Sequence, residues 1–493
     1  MRSARLMIQG TASNVGKSLV VTGLCRLLLR RGLKVAPFKA QNMSLNAGIC
    51  GEGLEMGRAQ ILQARAAGRR PDARMNPILL KPDGEGRSQV VLKGESQGSF
   101  LVSEYHAQRD RWFEEVLSAF ESLSQEVAVV LLEGAGSIAE INLRDVDVVN
   151  MPLAVELECP TLLVGNIDHG GVYGALVGCL ELLEPEERSL LRGLVVNRFR
   201  GDPSLLTPAH EVVSKRTELP FLGVIGHLED LRLPEEDSVS FSSKNWGHQR
   251  VDADLDIVVI DYGYVSNIND LEPLGMEEDV LLRKVMFPEE LGEPDIIILP
   301  GSRNVFQSLD ILRERGMDHA LNGLKGKASL FGICGGMMLL GENLSDPHGI
   351  ECPGGGEVAG LGFLPITSTL DKNKVLRDVR GTWKGLGDWK GYEMHHGRVT
   401  DNDSEVLSGD DLGASLAYGK TVEGCSVNGT WIHGLFDDDQ FRRAWLNDQR
   451  RRKGLEDCRQ PRKWSLEKAI DRWADHLEEA LDMPAVLKTL NLG

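Results

Sequence analysis

The sequence predicts an α/β protein built from two doubly wound domains, and three features predict it. Short apolar runs alternate with longer helical patterns through roughly the first 225 residues, the pattern left by parallel β-α-β units with helices on both faces of a sheet. The alternation weakens between Glu229 and Asp254, where Pro234, paired acids and the serine-rich stretch Ser238–Ser243 read as a linker. A second α/β series then begins, and 493 residues are too many for one ordinary core.

Taken in order, strands are predicted over Leu6–Gln9, Val35–Phe38, Val127–Leu132, Thr161–Val164, Leu194–Val196 and Phe221–Val224. Helices are predicted over Ser18–Arg31, Glu55–Ala67 and Arg109–Ser124. The second series opens with strands at Leu255–Asp261, Asp295–Pro300 and Ser329–Ile333. After Phe436 the chain becomes charged, and Arg442–Lys453 and Leu466–Ala480 read as a solvated closing helix pair. The expected divisions are 1–230, a linker over 231–252, 253–441, and a helical segment over 442–493.

Composition narrows the function. A formal net charge of -18 argues against nucleic acid as a partner, since most of the surface would repel a phosphate backbone. An anionic ligand must be captured by local features. The eight cysteines are scattered without a CxxC pair, which fits reduced thiols better than disulfides or zinc. The opening run Leu6–Ile8 is too short for a signal sequence, and no apolar stretch approaches a membrane span. A cytoplasmic protein working on small molecules is expected, and its oligomeric state is not legible.

The first strand runs into Gly10-Thr11-Ala12-Ser13-Asn14-Val15-Gly16-Lys17-Ser18 and an apolar helix. Small residues let backbone N–H groups close around a phosphate, a lysine supplies mobile counter-charge, and a hydroxyl can ligate magnesium. Lys17 and Ser18 occupy those places, with Gly10, Thr11, Asn14, Val15 and Gly16 forming the cradle. Thr11 stands where the plain phosphate-loop pattern has its first glycine. Val127–Leu132 delivers Glu133-Gly134-Ala135-Gly136, which puts an acid where a second magnesium ligand would sit. Asn197 follows a later strand, and Asp168 follows another. The amides Gln41 and Asn42 could meet a carboxylate without repelling it, or simply belong to a polar loop.

In the second series, Ser329–Ile333 leads to Cys334-Gly335-Gly336 and an apolar helix. Glycines flanking a cysteine between strand and helix are the makings of a nucleophile elbow. The strained turn lifts the thiol above the sheet, and the helix N-terminus favours a thiolate. Gly335, with Gly301 after another strand, can supply oxyanion N–H groups. His433 is the candidate base, with His395 and His396 as alternatives.

These motifs carry family resemblances. The spacing G-T-x-[ST]-x-V-G-K-[ST] resembles the dethiobiotin synthetase branch of phosphate-loop proteins, which activate carboxylates with ATP; in that branch an asparagine such as Asn197 often faces the nucleotide base. The surroundings of Cys334 and His433 resemble the class I (triad) glutamine amidotransferases, although Leu435 stands where those enzymes carry a glutamate two residues after the histidine. The third triad member is therefore missing or comes from elsewhere. Together with Phe38–Asn46, Leu299–Asn304, Tyr392–Gly397 and His433–Phe436, these segments resemble the cobyric acid synthase family over most of residues 5–440. That resemblance implies an N-terminal ATP-binding amidoligase domain and a C-terminal class I glutamine amidotransferase-like sheet. It also implies ATP, magnesium, glutamine and a corrinoid as ligands, and amidation of the b, d, e and g carboxylates of adenosylcobyrinic acid a,c-diamide. A rival is the a,c-diamide synthase of the same pathway; a more distant one is a MinD-like partitioning ATPase.

Overall fold

The computed structural model describes residues 3–51, 53–84, 86–229, 231, 233–234, 253–458 and 465–491. The chain forms two compact units: Met1–Ser44, Leu54–Glu236 and Ser465–Gly493 make the first, and Leu45–Gly53 with Asp237–Trp464 the second. The predicted linker, 231–252, lies almost wholly outside the described residues.

In the first unit, β1 (Ala4–Gly10), β2 (Val35–Phe38), β3 (Val129–Glu133), β4 (Thr161–Asn166), β5 (Leu191–Phe199) and β6 (Phe221–Gly226) form one parallel sheet. Its order is β6-β5-β4-β1-β3-β2. β1 and β3 are nearly continuous apolar runs because helices cover both faces. With β1 central, the loops after β1, β3, β4 and β5 open at the same carboxyl edge, where ligands of doubly wound sheets bind.

Two features of this unit depart from the expectation. Residues Leu54–Gly57 form a strand, so the helix predicted from Glu55 begins at Arg58. A four-stranded sheet, unpredicted, joins Gln41–Met43, Ile78–Gly84, Arg87–Leu92 and Glu95–Leu101.

The closing segment requires a larger correction. The predicted 442–493 piece is divided, and its second helix, Leu466–Ala480, is not a solvated appendage. Ile470, Trp473, Ala474 and Leu477 are fully or almost fully buried in the core around helix Lys17–Arg30. The Trp473 indole donates to Leu19 O at 2.6 Å. Gly23 accommodates this helix, since a Cβ there would lie 2.6 Å from Leu477 Cδ2. Charges flank this stripe and give the segment its solvated pattern, with Arg30 paired to Asp471 and Asp475 and Arg31 to Glu478. Helix Asp439–Arg452 instead buries Phe441, Trp445 and Leu446 in the second unit.

The second unit is built on β7 (Leu255–Ile260), β8 (Val280–Val285), β9 (Ile296–Leu299), β10 (Ser329–Ile333), β11 (Ile366–Trp383), β12 (Gly387–Asp401) and β13 (Cys425–Thr430). Its parallel part runs β8-β7-β9-β10-β13. β11 and β12 form a long antiparallel ribbon that sequence patterning did not predict. Among the described residues, no helix is long and apolar enough to cross a membrane, and no cysteine forms a disulfide.

Leu477→Ala should destabilise the first unit by about 2–5 kcal/mol, since a buried leucine leaves a cavity. Glu478→Ala, which removes a surface ion pair, should cost no more than about 1 kcal/mol. Chemical denaturation of both variants, followed on this unit, checks the contrast.

Candidate active site

The loop after β1 is closed by Lys17 and by groups that later strands bring to it. Lys17 reaches back to Ala12 O at 3.1 Å and across to Gly136 O at 2.7 Å. Gly16 takes φ +97°, and a Cβ there would collide with Asn197 Nδ2. That amide donates to Val15 O at 2.7 Å, so Asn197 pins the loop from behind. Gly10 has no room for a side chain either, with Val15 and Lys17 Nζ against it. Thr11 takes the place of a glycine without strain, its N–H donating to Val164 O at 3.0 Å. Ala12, Ser13 and Asn14 are exposed at the mouth, and Asn14 adopts φ +58°.

Glu133 is the polar hub beside this loop. It is buried, and its Oε1 accepts from the Ser18 hydroxyl at 2.8 Å and from Lys39 Nζ at 2.8 Å. Gln63 Nε2 donates to Oε2 at 2.5 Å. A hydroxyl and a carboxylate oxygen in contact at the loop end suit a small hard cation, which prefers oxygen donors and keeps its other positions for phosphate and water. The donor set fits magnesium. Sequence reasoning did not assign Lys39 or Gln63 to this hub, because their role follows from where β2 and helix Arg58–Ala66 bring them.

The remaining predicted residues of this unit are committed internally. Tyr105 donates to Gln41 Oε1 at 2.6 Å, and buried Asn42 donates to Gln60 at 3.0 Å. Asp168, after β4, lies 3.4 Å from Arg200.

In the second unit, Cys334 sits between β10 and helix Gly335–Leu340 with φ +51°, the strained turn of an elbow. The turn exists only because backbone packs on backbone. A Cβ on Gly336 would lie 1.9 Å from Leu299 O, and one on Gly332 2.6 Å from Met337 N. Gly335 abuts Ser302 N, and Gly301 stands with its Cα hydrogens towards His433 Cε1 and Ser266. The loops carrying both predicted oxyanion glycines thus converge on the thiol and the imidazole. Helix geometry leaves the first amides after Cys334 without an intrahelical acceptor. The thiol itself points at Met394 O, 3.7 Å away.

His433 is buried, and its Nδ1 meets Asp270 Oδ2 at 2.6 Å. A carboxylate can only accept, so Nδ1 carries the proton, which leaves Nε2 for the nearby Cys334. Gly434 N–H donates to the other oxygen, Oδ1, at 3.0 Å, which fixes the carboxylate in turn. Burial disfavours a charged imidazole, but Asp270 and then Cys334 outweigh it and raise its pKa to about 10. The ring of Tyr392 stacks on His433 with centroids 5.3 Å apart. Asp270 is the carboxylate that the sequence left unlocated. Its only local signal is a turn, Ile268–Asp270, in a stretch with no periodicity.

The alternative bases are occupied elsewhere. His395 bonds Glu393 at 3.0 Å and Gly397 O at 2.8 Å and lies flat on Trp431; burial pushes its pKa down. His396 bonds Asp371 O at 2.9 Å.

Residues 6–241 match the CobQ/CobB/MinD/ParA nucleotide binding domain, and residues 256–441 match the CobB/CobQ-like glutamine amidotransferase domain. A cobyric acid synthase of Nitratidesulfovibrio vulgaris is 44% identical, with 99% of this chain and 97% of that protein covered. The chain belongs to the cobyric acid synthase family. Its fellow member from Desulfitobacterium hafniense is 42% identical over 99% of this chain. A bifunctional adenosylcobalamin biosynthesis protein of Leptospira interrogans is 42% identical, and there the chain spans 57% of its length. The family makes this chain a glutamine-dependent amidoligase of cobalamin biosynthesis with a nucleotide-binding domain.

Asp270→Asn should lower glutamine-driven turnover by about 10⁴-fold, the loss seen when a triad aspartate becomes asparagine. It should also change the pH dependence of stability. Because His433 titrates higher folded than unfolded, its pair contributes fully below about pH 6.5 and is lost as pH rises through about 10. Unfolding free energies measured from pH 6 to 10 should fall with pH in the parent and far less in the asparagine variant.

Proposed function

We propose that this chain amidates the b, d, e and g carboxylates of adenosylcobyrinic acid a,c-diamide to give adenosylcobyric acid, using ATP and glutamine. The observation that carries the reading is a strained cysteine facing an imidazole held by a buried aspartate, in a chain whose other unit bears a phosphate loop. Free thiols throughout are consistent with a cytoplasmic setting.

The geometry supports the following residue roles. The Cys334 thiolate attacks the side-chain carbonyl carbon of glutamine, and the oxyanion is received by N–H groups of the Gly335 and Gly301 loops. Protonated His433 gives its Nε2 proton to the departing nitrogen, so ammonia leaves and a thioester remains. Neutral His433 then takes a proton from water, which hydrolyses the thioester to glutamate and restores the thiol. Asp270 holds the ring in the tautomer that both steps need.

In the nucleotide unit, the N–H groups of Gly10–Ser18 receive phosphate oxygens, and Lys17 leaves its carbonyl partners to meet them. Magnesium, held by Ser18 and Glu133, would offset charge developing on the transferred phosphoryl group. Lys39 then keeps Glu133 in place. A substrate carboxylate becomes an acyl-phosphate, and ammonia displaces phosphate to leave the amide. Gln41, Asn42 and Asp168 are proposed near the corrinoid, with their present partners to be exchanged on binding.

Mass spectrometry of adenosylcobyrinic acid a,c-diamide incubated with ATP, magnesium and glutamine should show up to four successive carboxylate-to-amide shifts. A substrate left unchanged would sink the assignment. Cys334→Ala should lose glutamine-driven synthesis and keep ammonia-driven synthesis. Lys17→Ala, or chelation of magnesium, should abolish synthesis from both nitrogen sources.

A further inference from the structure

One short piece of chain belongs to a different unit from its neighbours in sequence. Residues Leu45–Gly53 sit in the glutaminase unit, while Met1–Ser44 and Leu54–Glu236 sit in the nucleotide unit. The piece includes the strand Ala47–Cys50, in which Ala47 is fully buried. Ala47 N–H donates to Asn267 Oδ1 at 3.2 Å, and Ala47 O accepts from the Tyr392 hydroxyl at 3.2 Å.

Both partners of that one residue also touch the triad histidine. Tyr392 stacks on the imidazole at 21° to its plane and is paired with His433 across β12. Asn267 Nδ2 lies 3.4 Å from His433 Nδ1, a packing contact because the Nδ1 proton is committed to Asp270. Asn267 holds φ +51° at the start of the turn that carries Asp270, and its carbonyl accepts from Asp270 N–H at 3.0 Å. The far end of the piece is seated as tightly. Gly53 takes φ +80°, and a Cβ there would stand 2.5 Å from Leu376 O of β11.

We propose that residues 45–53 are a positioning element for glutamine hydrolysis. By holding Tyr392 and Asn267 through the two backbone groups of Ala47, the element sets the attitude of His433 towards Cys334. Both its ends are covalently continuous with the nucleotide unit, so a shift of chain there is passed to the imidazole as a lost or gained hydrogen bond. The role rests on the glutaminase reading of Cys334, and the test separates the two.

The test uses the full-length chain and two variants. Tyr392→Phe removes the hydroxyl that meets Ala47 and keeps the ring on His433. Gly53→Ala displaces the element and touches neither Tyr392 nor His433. Each should lower kcat for glutamine hydrolysis by about five- to tenfold, the effect of one hydrogen bond of ordinary strength. The KM for glutamine and ammonia-driven amidation should stay at parental values. Parental kcat in Gly53→Ala would overturn the proposal. So would an equal loss of ammonia-driven amidation in both variants, which would mean general damage. Failure of the underlying reading looks different: Cys334→Ala would then hydrolyse glutamine at the parental rate.

Discussion

The glutaminase unit depends on one contact, the 2.6 Å bond between His433 Nδ1 and Asp270 Oδ2. A buried imidazole with no counter-charge would be neutral and free to take either tautomer. With Asp270 in place the ring is held, its proton is assigned, and its basicity is raised despite burial. The elbow that presents Cys334 is useful only because that ring is already waiting. Close backbone approaches at Gly332, Gly335 and Gly336 fix the sulfur, and the Asp270 turn fixes the base. Neither side has slack, as catalysis by pre-arranged groups requires.

The nucleotide unit follows the same logic with a different charge. Glu133 is buried, yet Ser18, Lys39 and Gln63 together satisfy it. A lone carboxylate in that position would be costly, and one without a nearby hydroxyl would suit a cation less well. Lys17 is likewise held by backbone carbonyls, which are acceptors of the same kind as the phosphate oxygens proposed to replace them. With a net charge of -18, the chain needs this local concentration of N–H groups and lysines to receive an anion.

Much of this was legible in the sequence, for identifiable reasons. Parallel strands buried on both faces are apolar throughout, so β2 and β10 carry the predicted bounds. The phosphate loop and the elbow are local, and local chemistry survives in spacing. What escaped is long-range or amphipathic. The ribbon of β11 and β12 is polar on one face and lacks the run that marks a buried strand. Helix Leu466–Ala480 carries enough surface charge to hide the stripe Ile470, Trp473, Ala474 and Leu477 that buries it. Asp270 precedes its histidine by 163 residues and lies in a turn that no periodicity announces. The Ala47 strand escaped for the same reason, since its partners are supplied by the other series.

The absence of a glutamate at position 435 now has a physical explanation. Leu435 and Phe436 are both buried, and both belong to the apolar core of the unit with Phe331, Phe441 and Trp445. The chain after His433 turns inward at Gly434, which takes φ +69°, and drives these side chains under the sheet. A carboxylate at 435 in this backbone would be taken into that core, where an unpaired charge is strongly disfavoured. The imidazole still requires an acceptor on Nδ1, and Asp270, at the end of the turn Ile268–Asp270, supplies it. Gly434 N–H bonds the same carboxylate, so the inward turn that excludes an acid from 435 also helps to fasten Asp270. Asp270 thus meets the ring from far along the sequence, and His433 and Gly434 hold its two oxygens in place.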